Sequence, residues 1–311
     1  LSKAGILNYI SILSERNFIV FINPISGTGN KGSLRSIVEK RMAKEAASFQ
    51  ILDTEQSGRY DFLPEKVRRE SITDIIICGG DGSVNQVGSA LAGVHVNVGI
   101  IPMGSGNGLA LAAGIPKNPV KALDVIFKGT ATYIDAFMIN DQFSCMLCGL
   151  GFDAQVAHDF AAQSKRGLPT YIRQTLKNFF KATPYPFELK VNGSVINAEA
   201  FFISIANSNQ FGNNFTIAPK ASLSDGLLDI VIVNKTGKLN LIYTVLKQVR
   251  AGKVVSAAEH NNTVHYFQTK KMSISNPGNA PLHIDGEPSV TADHFEIEIK
   301  EKAFRLLQPA S

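Results

Sequence analysis

Three glycine-rich segments, each following a short β-branched run, carry the residue types that hold phosphate: NPISGTGNKG after FIVFI, GGDGS after DIIIC, and PMGSGNG after VGII. Glycine permits positive φ and close backbone approach, and a helix starting at such a loop offers unpaired N–H groups and the positive end of its dipole. A single loop of this kind reads equally well as a tight turn with a helix cap. Three at matching strand ends point to one polyphosphate cradle. Asp81 sits inside the second loop, where a carboxylate would repel a triphosphate unless Mg²⁺ lies between them, directly or through water. Asp81 would also serve as the N-cap of a helix starting near Ser83. In the third loop, Ser105 and Asn107 can bond a phosphate or cap the next helix. A second pair of carboxylates, Asp285 and Glu287, flanks Gly286 in IDGEP. Asp-Gly is a hairpin signal by itself, but a hairpin does not require a Glu after the glycine.

The elements that must position these loops are legible as a rhythm. From Phe18 to about Ile134, FIVFI, FQILD, DIIIC and VGII alternate with helix-length segments ending near Lys44, Arg69, Gly93 and beyond Leu109. Strand and helix in alternation build a parallel sheet whose ligands gather at the carboxyl ends of the strands. After Ala131 the texture becomes strands separated by turn signals, among them VNGS at 191–194, SDG at 224–226, NPGN at 276–279 and DGE at 285–287. That half reads as a largely antiparallel domain with two or three inserted helices. The expected division is residues 1–134 for an α/β nucleotide-binding domain and 135–302 for the antiparallel domain. A return of residues 303–311 to the first domain is left open.

Gly27, Gly29 and Gly32 also spell G-x-G-x-x-G, with Asp53 ending the next strand, as a dinucleotide-binding fold would have it. Four residues, Asn23 to Ser26, separate that glycine run from its strand, and the fingerprint gives no role to the other two loops. An oxidoreductase is therefore the weaker reading.

Composition narrows the class. A chain of 311 residues that is 44% hydrophobic and 18% charged fits two packed domains. No apolar run approaches the roughly 20 residues that cross a bilayer, and Lys3, Glu15 and Arg16 break any secretory pattern, so cytoplasmic placement is the expectation. Cys78, Cys145 and Cys148 lie in apolar runs and read as reduced core residues; the C-x-x-C formed by the last two has no second pair to complete a zinc site. The six histidines show no ligand spacing. The net charge of +5 is spread without Lys/Arg blocks, which suits an anionic ligand or membrane surface better than nucleic acid. Between Leu168 and Lys181, apolar residues fall near helical spacing while Arg173, Lys177 and Lys181 form a separate stripe. Such a helix suits an anionic interface for peripheral membrane contact, and it would equally pack its apolar side on the second domain.

Taken in order, NPISGTGNKG, CGGDGSVNQV, IPMGSGNGLA, GLGFDAQV, SLSDGLLDIVIV and IDGEP resemble the lipid kinase family that includes bacterial diacylglycerol kinases and sphingosine and ceramide kinases. The resemblance spans residues 18 to 308. It implies a Rossmann-like α/β first domain related to phosphofructokinase and NAD kinase, a β-sandwich second domain, an ATP cleft between them, and Mg²⁺. It further implies that Asn23, Ser26, Gly27, Thr54, the stretch Gly79, Gly80, Asp81, Gly82, Ser83 and Val84, and Ser105 with its neighbours Gly104, Gly106 and Asn107 border the nucleotide. Ser222, Asp225 and Leu227 resemble a structural Mg²⁺ site, and Asp153 the lipid-headgroup position of the sphingosine kinases. Bacterial diacylglycerol kinases usually carry G-T-x-N-D where this chain has Gly104 to Gly108, and the G-S-G-N form is more similar to sphingoid and ceramide kinases.

A lipid hydroxyl is a weak nucleophile and needs a base within hydrogen-bond reach and an in-line γ-phosphate. The family pattern assigns that base to the DGE segment: Glu287, with Asp285 orienting or binding metal. Asp81 is the second choice, because a helix N-terminus and Mg²⁺ would lower its pKa. Lys165 and Arg166 either pair with phosphates or sit as solvated helix residues. The alternatives are a kinase of a soluble acceptor such as NAD, which shares the GGDG loop, and a nucleotide-binding regulator without turnover.

Overall fold

The protein is described here by a computed structural model that covers residues 16–25, 31–55, 57–161, 182–210, 218–235 and 264–310. Its first half alternates β1 (Asn17–Ile22), α1 (Lys31–Lys44), β2 (Ser48–Asp53), α2 (Leu63–Arg69), β3 (Asp74–Gly79), α3 (Asp81–Ala90), β4 (Asn97–Pro102), α4 (Gly108–Ala112) and α5 (Pro119–Lys128). The four strands pair in parallel in the order β4-β3-β1-β2. Nearly every side chain of β1, β3 and β4 is buried, which is why these strands read as unbroken β-branched runs and not as alternating ones. α5 begins with Asn118, whose side chain accepts from Val120 and Lys121 N–H, followed by a proline at the first helical position. It lies beside α1, to which Asp124 is tied by Arg41 at 2.7 Å.

The second half contains β5 (Thr130–Ile139), β6 (Gln142–Ser144), β7 (Leu147–Gly151), α6 (Phe152–Ala161), β8 (Tyr185–Val191), β9 (Ser194–Ala206), β10 (Leu228–Asn234), β11 (Val264–Thr269), β12 (Lys271–Ser275), β13 (Leu282–Ile284), β14 (Glu287–Ser289) and β15 (His294–Gln308). Pairing among these strands is antiparallel. Two of the sequence turn signals form two-residue hairpins with both central φ positive: Asn192 and Gly193 (49° and 78°), and Asp285 and Gly286 (49° and 83°). These are the type I′ connections that match strand twist.

One continuous sheet unites the halves, running β14-β13-β7-β9-β8-β12-β15-β4-β3-β1-β2. β15 makes the join. Its first part pairs with β12 and with the end of β5; after a register shift between Lys300 and Phe304, Arg305 and Leu306 pair in parallel with Asn97 and Val98 of β4. Phe304, Leu306 and Leu307 are thus buried in the core of the α/β half, while Phe295 and Ile297 belong to the core of the sandwich. The boundary expected at residues 134/135 falls inside β5, which follows β15 across both cores. Among the described residues no helix is long and apolar enough to cross a membrane.

Candidate active site

Backbone hydrogen bonds just past the strand ends bring the predicted loops into one rim. Thr54 N–H donates to Ile22 O (3.1 Å), Asn23 N–H to Cys78 O (2.9 Å), and Met103 N–H to Gly79 O (2.9 Å). The GGDG and GSGN loops touch through bare backbone: a methyl group on Gly104 would stand 2.7 Å from Gly80 Cα, closer than side-chain carbons approach. Asn23 reaches across the rim to donate from its amide to Ser83 Oγ (2.8 Å). Asn107, with φ of 55°, bonds Gly104 through both ends of its amide (2.8 and 2.7 Å). Its side chain therefore shapes its own loop, while Ser105 beside it is exposed. Ser26, Gly27, Lys165, Arg166 and the 168–181 segment lie outside the described residues.

Asp81 departs from expectation in two ways. It is the first residue of α3, whose N-cap is Gly80, so it does not cap its own helix. Its carboxylate instead accepts backbone N–H bonds from Asn107, Gly108 and Leu109, the start of α4. Its pKa is pushed up to about 7, first by burial and then by the charge of Asp285, against those three donors. Desolvation of the carboxylate and the charge of Asp285 together outweigh the three amide donors, so the shift runs opposite to the lowering expected from a helix N-terminus and Mg²⁺.

The DGE hairpin of the second half closes on this rim from above α3. Asp285 is buried, and its carboxylate accepts from Ser144 Oγ (2.6 Å), Met146 N–H (3.1 Å), Leu147 N–H (3.0 Å), Cys145 N–H (3.1 Å) and the Asn85 amide (2.7 Å). With five such partners its oxygens are committed to the protein. Asn85 also donates to Phe143 O (2.9 Å), so this α3 residue ties the helix to both the hairpin and β6. Glu287, by contrast, is exposed, and its Oε1 would lie 3.7 Å from a methyl group on Gly82. The two carboxylates of one short motif thus separate into an anchor and a free group facing the GGDG loop.

A cleft of about 490 Å³ opens there, between Gly82, Asn85, Gln86 and Ser89 of α3, the Gly58–Asp61 segment, Gln142, Phe143 and the hairpin from Ile284 to Ser289. Arg59 is the cation among its lining residues. Tyr60, in the same segment, accepts the Glu55 backbone N–H at its hydroxyl oxygen (2.9 Å), which fixes the wall just after Thr54. Sequence reading missed Asn85, Ser144 and Arg59. Only Asn85 had a visible signal, as the polar residue four positions after Asp81.

Farther into the second half, Asp153 opens α6 and is buried, with Oδ1 accepting Ala154 N–H (2.8 Å) and Oδ2 facing His283 Nε2 (3.4 Å). His283, Gly149 and Ser204 form one cross-strand row, and the buried Ser204 hydroxyl has no partner among the described residues. Asp225 is exposed and accepts Leu227 N–H (3.1 Å); Ser222 Oγ accepts Ser224 N–H (3.4 Å). Among the described residues no group of three or more His, Cys, Asp and Glu could hold a metal ion. The three cysteines are buried and free, and burial raises the pKa of each thiol.

Comparison with known proteins agrees with this architecture. Residues 17–139 match the diacylglycerol kinase catalytic domain, and residues 147–308 match the YegS C-terminal NAD kinase beta sandwich-like domain. A diacylglycerol kinase of Bacillus subtilis is 26% identical over 86% of this chain and 88% of its own length. A Salmonella typhimurium protein named "Probable lipid kinase YegS" is 28% identical over 85% of this chain and 88% of its own. A crystal structure described as a diacylglycerol kinase from Bacillus anthracis superposes with a TM-score of 0.74 at 20% identity, covering 94% of this chain and 97% of that one; it shows the shared fold. The chain belongs to the lipid kinase family defined by these two domains. It is an enzyme of the phosphotransferase class with an alcohol group as acceptor.

Proposed function

We propose that the protein transfers the γ-phosphate of ATP to a hydroxyl of a lipid such as diacylglycerol or a sphingoid base, at a membrane surface. The observation that carries this reading is the approach of Glu287 to Gly82: an uncommitted carboxylate of one half faces the phosphate loop of the other. The rim built from Asn23, Thr54, Gly79 to Val84 and Gly104 to Asn107 is fitted to the nucleotide phosphates. Glu287 takes the proton of the acceptor hydroxyl as it attacks, while Asp285 fixes the hairpin that carries it. Arg59, lining the same cleft, is placed to draw charge from the phosphoryl group.

Mg²⁺ fits two places on chemical grounds. Asp81 is a half-buried carboxylate with a raised pKa, and a cation beside it would replace hydration that its surroundings remove. Ser222, Asp225 and Leu227 offer one exposed carboxylate with backbone oxygens, a donor set suited to an ion that keeps much of its water. When bound near Asp81, the ion would supply charge neutralisation to the polyphosphate. The unpartnered Ser204 hydroxyl in the row beside Asp153 favours a polar acceptor headgroup there.

The test is purified protein with labelled ATP and Mg²⁺ against diacylglycerol, sphingoid base, ceramide and NAD. Label is expected in a lipid, and Glu287→Gln should lower turnover by about 10²–10⁴-fold while leaving the protein folded. Labelled NAD alone, or a Glu287→Gln variant as active as the wild type, would overturn the reading.

A further inference from the structure

His283 is fully buried and sits between two groups on which the proposed reaction depends. Its Nδ1 accepts the N–H of Gly286, at the tip of the hairpin, at 3.3 Å. Its Nε2 faces Asp153 Oδ2 at 3.4 Å. A neutral imidazole that accepts at Nδ1 must carry its proton on Nε2, so the two contacts select one tautomer, which donates to Asp153. Gly149 makes room for the pair: a methyl group at that position would overlap both the Asp153 carboxylate and the imidazole. The strand therefore leaves a side-chain position empty directly beneath them. Asp285 and Gly286 both hold positive φ, so the hairpin tip has little freedom once Gly286 N–H is engaged, and Glu287 follows immediately.

We propose that His283 is a positioning residue that links the acceptor-recognising carboxylate Asp153 to the hairpin bearing Glu287. The link rests on the lipid kinase reading given above. One arm of the imidazole orients Asp153 toward the acceptor headgroup. The other holds Gly286, and through it Glu287, over the phosphate loop. Binding of a polar lipid headgroup at Asp153 is thereby sensed on the segment that carries the base.

The two arms can be cut separately. His283→Asn places an amide oxygen near the Nδ1 position, keeping the acceptor for Gly286 and losing the donor to Asp153. His283→Gln places an amide nitrogen near the Nε2 position and does the reverse. The expectation is that His283→Asn raises the lipid KM by about tenfold with little change in kcat, and that His283→Gln lowers kcat by about ten- to a hundredfold with little change in lipid KM. Equal losses in both parameters for both variants, or wild-type kinetics in both, would overturn the inference. Glu287→Gln and Asp153→Asn run alongside. If they lose turnover and lipid affinity respectively while the His283 variants behave as wild type, the link alone fails; if they remain fully active, the underlying functional reading fails and the link with it. Should either His283 variant not fold, the imidazole ¹⁵N resonances of the wild-type protein decide: the Nε2–H signal is expected to shift on adding lipid acceptor in micelles and not on adding empty micelles, and an unchanged signal would overturn the proposal.

Discussion

Asp81 and Asp285 are carboxylates of the same cleft, yet they are compensated differently. Asp285 receives five hydrogen bonds from the protein, whereas the three amides reaching Asp81 do not offset its burial, and its pKa rises to about 7 from an ordinary 3.8. The folded protein therefore retains a proton that the unfolded chain has already lost between those two values. Without metal, the Asp81 contribution to stability is fully present at low pH and is lost as pH rises from about 4 to about 7. Urea denaturation should show Asp81→Asn stabilised over wild type at pH 8, by on the order of 2 kcal/mol, with the gap narrowing toward pH 5. Asp285→Asn should do the opposite. An amide cannot accept from all five donors, and the loss is expected to be at least about 3 kcal/mol in a chemical melt. The sequence showed that both aspartates matter through their neighbouring glycines. It could not show which one the fold satisfies, since the donors to Asp285 come from Asn85 and from 144–147, far away along the chain.

At the scale of elements, the phosphate rim depends on loops that touch without side chains. Gly104→Ala would force Gly80 and Gly104 apart, because the added methyl group would also lie 3.0 Å from Asn107 Oδ1. Overpacking of this kind costs about 1–3 kcal/mol, and the variant should bind ATP about tenfold or more weakly by calorimetry while its sandwich remains intact. The strands, the helices after them and the hairpins at Asn192-Gly193 and Asp285-Gly286 were readable, because β-branched runs, helix-length spacings and Asn-Gly or Asp-Gly pairs report local geometry. The cap of α4 was not. Its N–H groups are satisfied by Asp81, a residue of another helix, and no local pattern in PMGSGNG announces that.

At the scale of the whole molecule, the halves share a strand. The texture changes at about residue 131, but β5 and β15 run through both cores and β15 pairs with β4 in parallel, so the apparent boundary in sequence is not a gap in the structure. Periodicity reveals which face of a strand is buried and not which strand lies beside it, which is why the role of Phe304 to Leu307 stayed open. Removing residues 303–310 would expose the edge of β4 and take Phe304, Leu306 and Leu307 from the α/β core. Each buried side chain of this type contributes about 1.5–3 kcal/mol, so the shortened protein should lose cooperative melting by circular dichroism together with ATP binding.

That sharing also sets an order of events during synthesis. β4 leaves the ribosome about 200 residues before its neighbour β15, and contacts across such a separation form late. The half that resembles a self-sufficient nucleotide binder must wait, with one flank uncovered, until nearly all of its partner half has been made.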